Sequence, residues 1–304
     1  MIKKPKKLLF LVNPKAGNGK GEIKFNEVKA QLKDHFIDAD MFISDRAGDI
    51  KKYIYDEDLT SFDGICTIGG DGTIHEAVDG LMRSGKYKYL PLGVFPGGSG
   101  NSFCNDLSIY NDTSALDNII DFITSPIDIM KIEQLDRINY SANIIGWGMA
   151  SEVNILAEKL RFLGTIRYSI ASLICILRLV PKEMNFIIGD EVIKGNGLLF
   201  IALNTMHTGK GMKMAPKAKL NDGLIDIILF REASKLRVFK IFTEVFSGNH
   251  INDPLVEYYQ VNKFKIRSSE EPLNLDGENK GVTPISVNVL PKSLNIFVNF
   301  NANN

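Results

Sequence analysis

A glycine-rich turn between a strand and a helix constrains this chain most. The residues Gly69-Gly70-Asp71-Gly72-Thr73 follow the apolar run 64–68 and precede apolar residues at helical spacing. Thr73 and Glu76 match a capping box, which predicts that the helix begins at this point. Glycines allow a backbone to approach a ligand closely, and a helix N-terminus attracts anions. The pattern therefore predicts a phosphate-binding turn, with a purely structural tight turn as the alternative.

The first 125 residues alternate between strand-like and helix-like patterns. Strands are predicted at 8–12, 39–43, 64–68 and 91–95, and helices at 21–36, 49–55 and 73–82. Such alternation is typical of βαβ units in a doubly wound α/β domain with a mostly parallel sheet. Ligands bind at the carboxyl ends of the strands in these sheets. Two further glycine-rich segments, 13–21 and 96–101, also follow predicted strands.

Short strand-like runs separated by turn signals dominate after Pro126. Strands are predicted at 127–132, 140–145, 185–188, 198–203, 224–230, 261–266, 285–289 and 294–298. Helices are predicted at 152–160, 165–179 and 234–246. This pattern favours an antiparallel β-sandwich or barrel with helical insertions. We therefore expect two domains, residues 1–126 and 127–304.

The charge balance and the cysteines restrict the classes of function. Lys and Arg together number 36, as do Asp and Glu, so the chain is formally neutral. Neutrality disfavours a nucleic-acid partner and strong electrostatic attachment to anionic membranes. Three widely spaced cysteines, with no CxxC pair, predict reduced thiols in a cytoplasmic protein. The most apolar segment, 170–180, is too short to span a bilayer, so any membrane contact is expected to be peripheral.

The first glycine-rich segment, Asn13-Pro14-Lys15-Ala16-Gly17-Asn18-Gly19-Lys20-Gly21, is neither a Walker A loop nor a dinucleotide fingerprint. Pro14 replaces the first glycine of a Walker A motif, and Gly21 follows the lysine where that motif needs Ser or Thr. Lys15 and Lys20 nevertheless supply positive charge suited to the phosphates of ATP.

Several motifs in order along the chain carry a resemblance to a known family. The segments NPKAGNGKG, GGDGT and PGGSGNSF resemble the catalytic domain of diacylglycerol kinases and sphingosine kinases. The stretch 147–168, the segment 212–226 and Leu275-Asp276-Gly277-Glu278 are also similar. The resemblance covers nearly the whole chain, from Leu8 to Val298, and implies an α/β lobe and a β-sandwich lobe with ATP in the cleft between them.

The resemblance assigns roles to individual residues. It implies that Asp276 is the general base and that Asp71 organises Mg²⁺ and the phosphates. The implied nucleotide-binding residues are Asn13, Lys15, Lys20, Gly69, Gly70, Gly72, Thr73, Gly98, Ser99, Gly100, Asn101, Arg161, Arg167 and Glu278. Phosphoryl transfer depends mainly on positioning and on neutralising charge, so such residues suit the reaction.

Structural alternatives exist for several of these residues. Asp276-Gly277 also matches the commonest hairpin turn. Arg161 and Arg167 could form ion pairs on a helix surface. The segment 168–180 is apolar nearly all round, which predicts either ordinary core or the wall of a lipid cavity.

The acceptor is the least determined part of the prediction. The third loop and the stretch around Trp147 resemble sphingosine kinases, which place an aspartate where this chain has Glu152. We therefore expect a lipid substrate, with a sphingoid base favoured over diacylglycerol. NAD kinase and a non-catalytic nucleotide-binding module are the alternatives from other classes, and a homodimer is left open.

Overall fold

The computed structural model describes residues 5–298 except 99 and 210, and it omits the side chains of residues 161 and 165. The chain divides into two compact units. The first contains the residues up to Ile127 together with those from Lys292 onward, and the second runs from Asp128 to Pro291. The predicted domains are consecutive segments, whereas the second unit is inserted between two parts of the first.

The first unit alternates strands and helices along the chain, as predicted. Its strands are β1 (Lys6–Val12), β2 (Ile37–Ile43), β3 (Gly64–Gly69) and β4 (Leu92–Pro96). Its helical segments are the single turn α1 (Ala16–Gly19), α2 (Gly21–Lys33), α3 (Asp49–Asp56), α4 (Asp71–Ser84), α5 (Ser102–Asp106) and α6 (Asp112–Ile120).

A parallel sheet forms the centre of the first unit. Its strand order is β4-β3-β1-β2, and Ile296 near the end of the chain pairs in parallel with Leu92 of β4. Residues 8–12 of β1 are fully buried because helices pack on the sheet, including α2 against β1 and α4 against β3. The carboxyl ends of β1, β3 and β4 therefore meet at one edge.

The second unit consists mainly of strands. The strand β5 (Thr124–Gln134) begins in the first unit and continues into the second. It is followed by β6 (Arg137–Ser141), β7 (Ile144–Gly148), β8 (Lys182–Ile188), β9 (Glu191–Leu203), β10 (Ile225–Arg231), β11 (Val256–Val261), β12 (Lys263–Ile266), β13 (Pro272–Leu275), β14 (Glu278–Val282) and β15 (Ile285–Phe297). Its α-helices are α7 (Met149–Lys159), α8 (Arg167–Leu177) and α9 (Lys235–Glu244).

The long strand β9 organises two cores in this unit. It forms an antiparallel hairpin with β8 and then lies between β7 and β10. Phe200 of β9 faces an aromatic core, with its ring 5.0 Å from Phe186. Ile201 faces the opposite way, into a second core with Ile176 of α8 and Val238 of α9. Alternate side chains thus serve opposite faces, and the predicted β-sandwich with helical insertions is confirmed.

The apolar segment at 170–180 is only partly buried. Ala171, Cys175 and Ile176 face the core, whereas Leu173 and Leu177 are exposed. The two predicted alternatives, ordinary core and the wall of a lipid cavity, do not explain why Leu173 and Leu177 of α8 are exposed. Within the described residues, no helix combines the length and apolar character needed to cross a membrane.

Candidate functional site

Three glycine-rich loops meet at one edge of the parallel sheet in the first unit. We call them loop 1 (residues 13–21), loop 2 (69–73) and loop 3 (96–101). The Gly17 amide donates to the Gly97 carbonyl over 2.9 Å, and the Gly97 amide donates to the Gly69 carbonyl over 2.7 Å. The three loops are therefore joined through their backbones into one cluster.

The glycines of loops 2 and 3 are required by the contact between these loops. A Cβ on Gly98 would lie 2.6 Å from the Gly70 Cα, and a Cβ on Gly70 would lie 3.0 Å from the Gly98 Cα. Both distances are below an ordinary carbon–carbon contact. We predicted that these glycines allow a ligand to approach the backbone. The structure shows that they allow the backbones of loops 2 and 3 to pack against each other.

Asp71 and Asn101 fix the position of loop 3. The Asp71 carboxylate accepts hydrogen bonds from the Ser102 amide at 3.3 Å, the Ser102 hydroxyl at 3.2 Å and the Phe103 amide at 3.3 Å. Asn101 has a left-handed backbone, with φ of 50°, and its Oδ1 accepts from the Gly98 amide at 2.8 Å. Both side chains thus position the backbone of the loop.

The predicted capping box is wrong. Helix α4 begins at Asp71, two residues before the expected start, and its N-cap Gly70 has no side chain to cap it. Thr73 and Glu76 therefore lie inside the helix. Glu76 Oε1 instead accepts from the Gly48 amide at 2.7 Å, which ties α4 to the start of α3.

The remaining nucleotide-binding candidates of the first unit differ in their surroundings. Asn13 Oδ1 accepts from the Lys15 amide at 3.0 Å, and the side chains of Lys15 and Lys20 are exposed. Gly72 lies in the first turn of α4, and a Cβ on Gly100 would lie 3.2 Å from Asp71 Oδ2. Ser99 lies outside the described residues.

Lys24 of α2 is a positioning residue that the sequence did not reveal. Its side chain is largely buried, its ammonium donates to the Pro96 carbonyl, and it lies 2.5 Å from Asp112 Oδ1. It therefore fixes the start of loop 3 from a helix far away in sequence. A lysine on an ordinary amphipathic helix carries no local signal of this contact.

Asp276 and Gly277 form a hairpin turn between β13 and β14 in the second unit. Both have positive φ, 51° and 88°, as a two-residue hairpin requires. The Asp276 side chain is buried, at 4% exposure. Its Oδ1 accepts from the Ser141 hydroxyl at 2.6 Å and from the amides of Asn143 and Ile144 at 3.1 and 2.8 Å. The turn geometry is thus present, and these donors fix the orientation of the carboxylate.

Asn154 of α7 anchors the same hairpin. Its Nδ2 lies 2.9 Å from both the Gly277 carbonyl and Asn279 Oδ1. The Gly277 amide donates to Asn274 Oδ1 at 2.8 Å, and Glu278 follows as the first residue of β14, half-buried. Sequence reasoning missed Asn154 because more than 120 residues separate it from the turn.

Glu152 takes part in an ion-pair cluster. Its Oε1 lies 2.9 Å from Lys182 Nζ, which lies 2.7 Å from Glu271 Oε2. Burial acts to lower the pKa of Lys182, but the hydrogen bonds to Glu271 and Glu152 outweigh it and raise that pKa. The carboxylate expected to bind a lipid head group therefore already has an ammonium partner in the chain.

Arg167 also has partners within the second unit. Its guanidinium lies 3.5 Å from Glu158 Oε1, and Nη2 lies 3.4 Å from the Tyr168 hydroxyl. These contacts match the ion-pairing alternative, and the phosphate-binding role of Arg167 stays a prediction. The side chain of Arg161 lies outside the described part of the chain.

The structure therefore brings the predicted residues together in two groups. Asn13, Gly69, Gly70, Asp71, Gly98 and Asn101 belong to the loop cluster of the first unit, whereas Asp276 and Glu278 share the hairpin of the second. Over the residues that the structure describes, no group of three or more His, Cys, Asp or Glu side chains forms a candidate metal centre.

Two family models match the chain. The diacylglycerol kinase catalytic domain matches residues 7–132. The YegS C-terminal NAD kinase beta sandwich-like domain matches residues 143–298. Together they include both the loop cluster and the hairpin of Asp276.

Relatives and solved structures agree with these models. The chain is 32% identical to a diacylglycerol kinase of Bacillus subtilis, with 92% of each chain covered. It is 26% identical to sphingosine kinase 1 of Arabidopsis thaliana, over 90% of this chain and 68% of that protein. A crystal structure of a protein from Bacillus anthracis matches with a TM-score of 0.80 and 25% identity, covering 99% of this chain and 97% of the other.

Proposed function

We propose that this chain, a lipid kinase that belongs to the family of the diacylglycerol kinase catalytic domain, transfers the γ-phosphoryl group of ATP to the hydroxyl of a neutral glycerolipid. The observation that carries the choice of acceptor is the ion pair between Glu152 and Lys182. The family supports ATP as the phosphoryl donor.

The donor phosphates would be bound by the loop cluster. Helix α4 begins inside the cluster, so the positive end of the helix dipole lies there. The exposed side chains of Lys15 and Lys20 add positive charge. Contacts between the loops already order this backbone, which lowers the entropy lost when a nucleotide binds.

Asp71 is the residue that would hold Mg²⁺ beside the phosphates. Mg²⁺ prefers oxygen ligands and is often held by one or two carboxylates together with substrate phosphates, so the carboxylate at the start of α4 suits it. When bound, the ion would neutralise charge on the phosphates. Asp71 keeps a second role, because its carboxylate also positions loop 3.

Asp276 would take the proton of the acceptor hydroxyl. A general base must be held within hydrogen-bonding reach of that proton, so its orientation matters first. Ser141, Asn143 and Ile144 hold one oxygen of Asp276, and Asn154 holds the turn that carries it.

The Glu152–Lys182 pair favours a neutral acceptor over a sphingoid base. The ammonium of a sphingoid base would have to displace a lysine that is tethered in the chain and is also bound to Glu271. A diacylglycerol carries no charge and has no need of this carboxylate. The relative from Bacillus subtilis, named a diacylglycerol kinase, supports the same choice.

A sphingoid base is the second candidate. The relatives named sphingosine kinases support it, as does the carboxylate at position 152 where sphingosine kinases are expected to bind the amine. This candidate requires Glu152 to leave Lys182 when the lipid binds.

A lipid panel tests the proposal. Purified protein would receive labelled ATP and Mg²⁺ with diacylglycerol, monoacylglycerol, ceramide, sphingosine, phosphatidylglycerol or NAD in matched detergent micelles. We expect diacylglycerol to be phosphorylated with the highest kcat/KM. Preferential use of sphingosine would establish the second candidate, and turnover of NAD alone would refute both.

Lys182→Met tests the choice of head group directly. Because the substitution releases Glu152 from its partner, we expect the ratio of kcat/KM for sphingosine to that for diacylglycerol to rise about tenfold, in keeping with a charge-assisted hydrogen bond. Lys194→Met changes an exposed lysine of β9 and is the control. An unchanged ratio in Lys182→Met would remove this cluster from the account of specificity.

A further inference from the structure

Two consecutive polar residues at the end of β9 are buried inside the second unit. Asn204 and Thr205 follow Leu203, the last residue of the strand, and each is only 1% exposed. Burying an amide and a hydroxyl costs free energy unless both groups form hydrogen bonds. The partners of these two side chains therefore indicate what the residues hold in place.

Asn204 holds the segment between β6 and β7. Its side-chain Nδ2 donates to the Asp128 carbonyl at 2.8 Å and to the Ala142 carbonyl at 3.3 Å. Its backbone amide donates to the Asn143 carbonyl at 2.9 Å. Ala142 and Asn143 belong to neither strand. Loop and side-chain contacts, rather than a ladder of strand hydrogen bonds, therefore determine where their backbone lies.

Thr205 holds the same segment through its hydroxyl. The nearer of two acceptors for this hydroxyl is Oδ1 of Asn143, and the other is the His207 carbonyl at 3.3 Å. Asn143 is itself buried. The two residues that follow β9 thus contact Asn143 both at its backbone carbonyl and at its side chain.

The segment held in this way carries hydrogen-bond donors to Asp276. The amides of Asn143 and Ile144 both donate to Asp276 Oδ1, at 3.1 and 2.8 Å. The Asp276 amide in turn donates to the Ile144 carbonyl at 2.9 Å. Hydrogen bonds weaken steeply when the donor turns away from the acceptor. The orientation of the Asp276 carboxylate therefore depends on the position of the segment 142–144.

We infer that Asn204 and Thr205 are positioning residues for the general base, which hold the segment 142–144 so that its amides orient the Asp276 carboxylate. This role rests on the proposed function, because it matters for turnover only if Asp276 takes the proton of the acceptor hydroxyl. A base that is turned away from the acceptor slows proton transfer without weakening nucleotide binding. Neither residue has to contact the substrate.

Two substitutions at Thr205 separate hydrogen bonding from packing. Thr205→Val keeps the shape of the side chain and removes the hydroxyl, whereas Thr205→Ser keeps the hydroxyl and removes the methyl group. With the best acceptor of the lipid panel, we expect kcat to fall about tenfold in Thr205→Val and less than about threefold in Thr205→Ser, with the KM for ATP unchanged in both. A packing role predicts the opposite order. That order, or equal kcat values for the two variants, would overturn the inference.

Asn204→Ala tests the contacts of the side-chain amide. It should lower kcat at least about tenfold, because two carbonyl contacts are lost; if urea unfolding shows that this variant does not fold, the Thr205 variants decide. Ser268→Ala is the control. It removes another buried hydroxyl of the second unit, which contacts the backbones of Asn185 and Glu183 instead of the segment 142–144. Its kcat should match the wild type, and a fall equal to that of Thr205→Val would contradict a specific role.

A double-mutant cycle with Asp276→Asn completes the test. When the carboxylate is absent, misplacing its donors has no further consequence. Thr205→Val should therefore lower kcat about tenfold in the wild type and leave the residual kcat of the Asp276→Asn enzyme unchanged, as measured with labelled ATP. Losses that multiply would overturn the inference and leave the proposed function intact. Near-normal turnover by Asp276→Asn alone would instead refute the general base, and with it the role of both positioning residues.

Discussion

Replacing Gly98 by alanine should force loops 2 and 3 apart. The new Cβ would lie 2.6 Å from the Gly70 Cα and 3.0 Å from Asn101 Oδ1. Since carbon atoms pack at about 3.5–4.0 Å, the backbones must separate by roughly 1 Å. The atoms in the way belong to the backbone of loop 2, so no side-chain rotation can relieve the collision.

The separation has a cost that follows from the bonds it breaks. A shift of this size lengthens the hydrogen bond from the Gly97 amide to the Gly69 carbonyl, now 2.7 Å, beyond ordinary range. One lost backbone hydrogen bond costs about 1 kcal/mol, and overpacking costs about 1–3 kcal/mol. We therefore expect the free energy of unfolding to fall by about 2–4 kcal/mol.

Nucleotide binding should suffer as well, since the displaced loops 2 and 3 belong to the cluster proposed to bind phosphate. We expect a loss of at least about tenfold in ATP affinity and up to about a hundredfold in kcat/KM. Urea unfolding, calorimetric titration with ATP and a kinase assay measure the three quantities. Gly19→Ala is the control, because its Cβ would meet nothing within 4 Å and its positive φ of 86° adds only backbone strain of about 1 kcal/mol. A Gly98→Ala enzyme with wild-type stability and ATP affinity would refute the reasoning.

Two other substitutions test single carboxylates. Asp276→Asn keeps the size of the side chain, so ATP binding should persist while turnover falls at least about a hundredfold; near-normal turnover would remove Asp276 from the mechanism. Asp226 is fully buried, and burial raises its pKa to about 6 even though Tyr258 and Gln260 donate hydrogen bonds to it. Because this pKa exceeds the value of 3.8 for an unperturbed aspartate, its contribution to stability is present below pH 4 and is lost as the pH rises through 6. Asp226→Asn should therefore gain stability relative to the wild type by up to about 3 kcal/mol between pH 4 and pH 8 in urea unfolding, and a constant difference across that range would contradict the assignment.

The fold of the first unit follows from periodicity because its central strands β1 and β3 are short and apolar, with residues 8–12 and 64–69 buried. The residues 8–12 and 64–68 are continuous apolar runs, and both became central strands of the parallel sheet. Besides the single turn α1, the helices α5 and α6 of this unit were missed. Helix α5 has only five residues and starts after the left-handed Asn101, so it offers too little sequence for a helical pattern.

The second unit was harder to divide into strands. The predicted strand 140–145 includes the turn between β6 and β7, and the predicted strands 285–289 and 294–298 form the single strand β15. The hairpin strands β13 and β14 were not predicted because polar residues such as Asn274 and Lys280 interrupt the alternation. The strand β13 is stabilised by pairing with the distant strand β7, and a local sequence pattern does not report such pairing.

The sequence indicated which residues form the candidate site, but it did not indicate which of them contact one another. The glycines of loops 2 and 3 were found because their spacing is local. Three contacts join segments that are 28 to 72 residues apart in the chain: Gly98 with Gly70, loop 3 with Lys24, and Glu152 with Lys182. Those contacts arise only when the strands between them are ordered in a sheet.

The return of the chain to the first unit bears on its synthesis by the ribosome. A Cβ added to Gly64 would lie 2.8 Å from the Phe297 ring, so this ring packs closely on β3. The same ring packs edge-on against Phe122, with 5.1 Å between the ring centroids, and Ile296 pairs with Leu92 of β4. When residue 127 leaves the ribosome, β4 is still an unprotected border strand, and about 165 more residues must be translated before its neighbour exists. The first unit is thus incomplete until Ile296 and Phe297 have been translated, and truncation before Ile296 should yield an aggregating fragment.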